Sequence, residues 1–243
     1  MKKAPLLAVL SALSWQLQCA LLSENRGRAH FIIISLDGWS DASTLPEAAY
    51  TLRRLKKAGV HGTAHTVFPS MTWPAHTSMV TGMDPERHGV IGNRFRSRGQ
   101  KRIIKAWELP AEKLIQKPTL PQYLSRAGFQ SASILWPGLQ GSKFVRFNLP
   151  AVYFPHEMDS SPQDFLRTLD RAGIPVSHLP RLADKEDMLL DYLVRDSAIF
   201  TIQKYKPQLM LIHFLSLDTM LHRLGPDDWA RARSLEFLDR LIG

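Results

Sequence analysis

The sequence predicts an α/β domain with a mainly parallel sheet and helices on both faces, and three observations carry that prediction. Phe31-Ile-Ile-Ile-Ser-Leu36 is a continuous β-branched and apolar run, the pattern of a strand buried on both faces. Gln208-Leu-Met-Leu-Ile-His-Phe214 is another apolar strand run, fed by a long amphipathic segment. Strand and helix signals alternate along the chain, as a parallel sheet with crossover helices requires.

The elements follow in order. After the strand 31–36 and the Asp37-Gly38 turn, Pro46 to Ala58 reads as a helix (47–58) with Ala48, Leu52 and Leu55 on one side. Pro74 suits the first turn of a helix over 74–82. Leu120 to Arg126 is a helix stopped by Ala127-Gly128, and the strand 131–136 follows it. Glu186 to Tyr205 predicts a helix (187–205) whose Leu189, Leu193, Ile199 and Ile202 recur at helical spacing before the strand 208–214. Pro226 to Ile242 is the last helix, with Asp227 and Asp228 favourably placed in its first turn. The most basic stretch, Arg94 to Lys105, reads as a solvated loop or a ligand contact.

Composition narrows the function classes. Of 243 residues, 44% are hydrophobic and 22% charged, which excludes a disordered or collagen-like chain. The single cysteine, Cys19, excludes a disulfide scaffold and a thiolate metal site. No run after residue 30 approaches the ~20 apolar residues of a membrane span. A net charge of +9 favours anionic partners without choosing among them. The basic residues are scattered and no nucleic-acid-binding motif appears, so no specific nucleic-acid partner is expected. Lys2 and Lys3, the apolar stretch Ala4 to Trp15 and the polar turn at Ser23 have the shape of a signal peptide over residues 1–22. Its cleavage point is open between Ala12-Leu-Ser14 and Ala20, and the segment before Cys19 lacks the small residues of lipoprotein processing. The expected mature protein is exported, periplasmic or secreted. Cleavage after Ala20 removes Lys2, Lys3 and Cys19, which lowers +9 to +7 and leaves a cysteine-free chain suited to an oxidising compartment.

Chemistry is expected at the carboxyl ends of the strands. Asp37 follows the first strand, and Asp218 with His222 follows the strand ending at Phe214. Carboxylate oxygens and imidazole nitrogens are ordinary zinc ligands, and a spacing of four puts Asp218 and His222 on one face of a helical turn. Thr72 falls just outside a helix N-terminus, where free N–H groups and the dipole favour a phosphate. Its hydroxyl is a poor nucleophile unless a base or a metal activates it, and a metal held by Asp37 would do so. A plain N-cap role for Thr72 is the alternative.

The pattern of motifs resembles the type I phosphodiesterase/nucleotide pyrophosphatase branch of the alkaline phosphatase superfamily. The motifs are Ser35-Leu-Asp-Gly38, Phe68-Pro-Ser-Met-Thr-Trp-Pro-Ala-His76, Val80-Thr-Gly82, Pro85-Glu-Arg-His-Gly-Val-Ile-Gly-Asn93, Trp136-Pro-Gly138 and Asp218-Thr-Met-Leu-His-Arg-Leu-Gly-Pro226, and the resemblance covers about residues 30 to 243. The resemblance implies an alkaline-phosphatase-like sheet and two zinc ions, one on Asp37 and Thr72, the other on Asp218 and His222. It implies that Asn93 hydrogen-bonds a non-bridging phosphoryl oxygen. The implied reaction is in-line attack by Thr72 on a phosphodiester or nucleotide pyrophosphate, giving a phosphothreonine that water then hydrolyses, with the metal pair stabilising the attacking and leaving oxygens. Asp37, Thr72, Asn93, Asp218 and His222 are therefore expected in one cleft. Substrates in the family are nucleotides, phospholipid head groups and other small phosphodiesters, and Trp73 either flanks a leaving group or packs on the sheet.

Two departures shape the expectation. Ala75 stands where many relatives have asparagine before the histidine. The family's Asp-His-Gly motif and a later histidine do not occur in the sequence, so three implied metal ligands have no counterpart, and the implied positions of His76, His88 and His213 are structural. Residues 23–243 are then a partial phosphodiesterase catalytic domain, incomplete at the C-terminus, with one sheet edge unpaired and only trace activity. The alternative is an inactive fragment or degenerate relative that only binds phosphorylated ligands.

Overall fold

The computed structural model describes residues 29–40, 45–96, 102–151, 162–182, 187–225 and 229–243. Residues 1–22 with Cys19, and Pro226, Asp227 and Asp228 at the expected start of the last helix, lie outside the described residues. In chain order the main elements are β1 (Phe31–Leu36), α1 (Tyr50–Ala58), α2 (Thr72–Thr81), α3 (Pro85–His88), β2 (Arg94–Arg96), β3 (Ile103–Lys105) and α4 (Leu120–Arg126). Then come β4 (Ser131–Ile134), β5 (Phe147–Leu149), α5 (Gln163–Arg171), α6 (Asp187–Tyr205), β6 (Leu209–Phe214), α7 (Ser216–Leu224) and α8 (Trp229–Ile242).

Four strands form one parallel sheet in the order β1-β6-β4-β5, so the three strands expected to share a sheet do so. β6 is central, with Phe31 opposite Leu209 on one side and Ser131 opposite Leu209 on the other. Its residues alternate between two cores, as a strand period of two dictates. Met210, Ile212 and Phe214 join residues of α5, α6 and α8, whereas Leu209 and Leu211 meet Val80 of α2 and Leu124 of α4. Both faces of the central strand are therefore covered by helices.

Three sequence expectations are corrected. β1 is not buried on both faces: Phe31 is 67% exposed and Ile34 40%, because among the described residues no strand lies beyond it. α1 starts at Tyr50 and buries none of its own residues; Leu55 is exposed, and Ala49 just before the helix is the buried alanine. The first turn of α1 is held instead by Asp239 of α8, whose carboxylate accepts from Thr51 N at 3.1 Å and Leu52 N at 2.7 Å. α6 buries Leu190, Asp191, Val194, Ser197, Ala198 and Thr201, while Leu189, Ile199 and Ile202 face outward. The stripe that faces the core includes the small side chains of Ser197, Ala198 and Thr201. Two limits also move: β4 ends at Ile134 because Leu135 turns the chain with φ +56°, and the Arg94–Lys105 segment carries a short antiparallel hairpin, β2–β3. Among the described residues no helix is long and apolar enough to cross a membrane.

Candidate active site

The carboxyl ends of β1 and β6 open into a cavity of about 890 Å3, and Asp37, Thr72, Asn93, Asp218 and His222 all line it. Asp37 leaves β1 with its N–H on Phe214 O at 3.0 Å, which extends the strand pairing by one residue. Its Oδ1 accepts the Gly38 N–H at 3.1 Å. Its Oδ2 accepts the Thr72 hydroxyl at 3.3 Å and faces His213 Nε2 at 3.2 Å. Burial opposes ionisation of Asp37, but the hydrogen bond and charge of His213, with the Gly38 N–H, outweigh it and hold the pKa down at about 2.

Thr72 is the first residue of α2, after an extended Met71. The free N–H groups expected there are partly spent: Pro74 has none, and Trp73 N–H donates to Asn93 Oδ1 at 3.0 Å. That bond turns the amide so that its NH2 group is the half left for a ligand. Trp73 does not pack on the sheet; it is buried against Trp107, centroids 5.4 Å apart, in a separate cluster with Val90, Ala106, Leu114 and Ile115, and it also lines the cavity. One turn into α2, His76 donates from Nδ1 to Thr72 O at 2.8 Å and accepts the Ser35 hydroxyl at Nε2, 2.9 Å away. This pairing needs a neutral ring, and burial followed by the charge of His213 holds His76 down at about 4.

Asp218 and His222 meet on one face of α7, Nε2 to Oδ2 3.4 Å, as their spacing predicts. Burial and then the charge of Asp37 push the Asp218 pKa up. The two acids approach because Gly38 lets α7 close on the β1 turn: a Cβ there would lie 2.8 Å from Asp218 Cα, and its φ is +79°. Gly38→Ala should therefore cost about 2–3 kcal/mol, from positive-φ strain plus a backbone clash. A urea midpoint equal to the parent's would contradict this account.

Sequence reasoning missed the groups that hold this arrangement. Asp191, fully buried on α6, accepts Leu215 N at 2.9 Å and Ser216 N at 3.0 Å and so anchors the start of α7. An acid on the inner stripe of an amphipathic helix was the available signal. His213, assigned only a structural place, touches Asp37 directly, donates from Nδ1 to Leu135 O at 3.0 Å and packs edge-on against His76 at 4.5 Å.

The buried acids and histidines set a testable pH dependence. Burial raises Asp191 from 3.8 to about 6, so between those values the folded chain binds more protons than the unfolded one, and stability falls as pH rises. His76 works in the opposite sense: lowered from 6.5 to about 4, it makes stability rise with pH across nearly the same window. Asp191→Asn keeps a carbonyl for the α7 N–H groups but removes the opposing contribution. Between pH 4 and 6, denaturation of this variant should gain about 3 kcal/mol more than the parent. Parallel pH profiles for the two proteins would sink the assignment.

Two acids, a hydroxyl directed at one of them and an amide thus share one cleft at the strand ends. The sequence model of the type I phosphodiesterase / nucleotide pyrophosphatase family matches residues 31–243. The chain belongs to that family. It is similar to a bis(5'-adenosyl)-triphosphatase of Xenopus laevis, 23% identical over 90% of this chain and 42% of the relative. Among solved structures it resembles phosphonoacetate hydrolase from Sinorhizobium meliloti in complex with phosphonoacetate, with a TM-score of 0.68 and 21% identity over 89% of this chain and 52% of that one. It also resembles an inactive murine ectonucleotide pyrophosphatase/phosphodiesterase 5 in complex with AMP, with a TM-score of 0.62 and 19% identity over 89% of this chain and 50% of that one. These likenesses establish the alkaline-phosphatase-like fold. The chain spans about two-fifths of the length of the curated relatives that match most of it.

Proposed function

We propose that the chain carries the nucleophile-bearing part of a zinc-dependent phosphodiesterase/nucleotide pyrophosphatase, with residues 23–243 as a partial catalytic domain. The observation that carries this reading is the Thr72 hydroxyl directed at Asp37 Oδ2 at 3.3 Å, in a cleft it shares with Asn93 and Asp218. The Thr72 hydroxyl donates to Asp37 Oδ2, so Asp37 orients it. The donor types suit divalent zinc: two acids with a hydroxyl and an imidazole beside them. Among the described residues, however, no group of three or more histidines, cysteines or acids stands together as a metal site, so each ion would have only two protein donors here. Asp37 and Thr72 would hold one ion, and Asp218 and His222 the other. Bound zinc supplies the charge that acidifies the hydroxyl and offsets charge on the phosphoryl oxygens.

Thr72 Oγ then forms a bond to phosphorus as the bond to the leaving oxygen breaks, and its proton passes to solvent. The Asn93 NH2 group holds a non-bridging oxygen. Water cleaves the phosphothreonine and restores the hydroxyl. Small phosphodiesters or nucleotides are the substrate class, and residues 1–22 direct export to the periplasm or beyond. Acid quench of the protein with zinc and bis(p-nitrophenyl) phosphate, followed by peptide mass spectrometry, tests the covalent step. A phosphorylated peptide at Thr72 is the expected result. Phosphorylation at another residue would reject the nucleophile, and saturable binding without any adduct would favour a ligand-binding protein.

A further inference from the structure

Arg94 is the one lysine or arginine among the described residues that line the cavity. It follows Asn93 directly, and its guanidinium sits 5.2 Å from the ring centroid of Trp107. Trp107 is buried and packs on Trp73, so the guanidinium is seated on a rigid wall that leads back to Thr72. Across the β2–β3 ladder Arg94 stands opposite Lys105, a second cation. Like charges directly opposite on a ladder are destabilising. Lys105 is offset by Glu108 at 2.9 Å, whereas Arg94 has no carboxylate partner among the described residues. The cavity is thus polarised, with two acids at the strand ends and one unneutralised guanidinium beside Asn93.

We propose that Arg94 binds a second oxyanion of the substrate, a carboxylate or phosphate carried beyond the reacting phosphorus. The proposal rests on the reading of the Thr72 cleft as a phosphoryl site and adds the class of substrate: small phosphoesters with a further anionic group. A guanidinium seated on an aromatic face is pre-organised for two parallel hydrogen bonds to such a group.

Calorimetric titration of the zinc-supplemented protein tests this with two matched pairs of probes. Ethyl phosphate against phosphoglycolate reads a carboxylate, and uridine monophosphate against uridine diphosphate reads a second phosphate. The member with the extra anion should bind about tenfold more tightly in at least one pair, the size expected of one charge-assisted contact. Arg94→Gln should close that gap, and Arg94→Lys should retain part of it. Circular dichroism melting checks that both variants fold as the parent does. An undiminished gap in Arg94→Gln, or no gap in the parent, overturns the proposal and leaves the phosphoryl site standing. Failure of all four probes to bind removes the phosphoryl site itself, and the proposal with it.

Discussion

Thr72→Ala is expected to take the zinc-dependent hydrolysis of bis(p-nitrophenyl) phosphate, itself only a trace in this chain, down to the zinc-only background, a loss of up to about a thousand-fold. Removal of a covalent nucleophile eliminates the bond-forming atom, and losses of that order or larger follow in other nucleophilic enzymes. The effect on folding should be small. Thr72 sits at the start of α2, and the hydrogen bonds around it that fix the helix come from its carbonyl to His76 and from Trp73 N–H to Asn93. Thr72→Ser keeps an oxygen able to reach Asp37 and should recover a measurable part of the rate. Equal rates for the parent and the alanine variant would show that another group performs the attack.

The backbone plan was readable because it depends on local pattern. The run Phe31 to Leu36 has no residue that resists a strand, and the helix read over Leu120 to Arg126 forms with those limits, its start held by the Thr119 hydroxyl, which accepts Gln122 N. Partners were harder to read. β1 looks like an interior strand because its composition is apolar on both faces, yet its position in the sheet is set by which strands pair with it. In α6 the bulky residues Leu189, Ile199 and Ile202 carried the helical periodicity, whereas the buried stripe includes Asp191, Ser197 and Thr201, which hydropathy does not mark as core.

The cleft residues were legible from the motifs, and the spacing of Asp218 and His222 carried their contact as well. What the sequence hid was the support around them. Asp191 reaches Leu215 and Ser216, 24 and 25 positions away, and Asp239 reaches Thr51 across 188. Such acids serve backbone N–H groups that carry no mark in the side-chain sequence. Arg94 was weighed as part of a basic loop, and only the register of β2 with β3 sets it opposite Lys105 beside the cavity.

His213→Ala should be the most damaging change away from the nucleophile. His213 is 1% exposed, and Asp37, with 20% of its side chain exposed, depends on it. Alanine leaves Asp37 as a half-buried charge without its main partner and leaves the Leu135 carbonyl without the ring donor. Breaking such a pair from one side should cost about 3 kcal/mol, the lower end for buried pairs because Asp37 is not fully enclosed. The pH profile distinguishes this cause from lost packing. In the parent, Asp37 has a folded pKa of about 2 against an ordinary 3.8, so its stabilising contribution is present above 3.8 and is lost as pH falls through 2. Without His213 nothing comparable offsets the burial of Asp37, its pKa climbs, and that contribution of about 2 kcal/mol disappears. A double-mutant cycle with Asp37→Asn should give a coupling energy above about 1 kcal/mol. Additive losses would mean that the two side chains act independently, and the orientation of the Thr72 hydroxyl would then need another explanation.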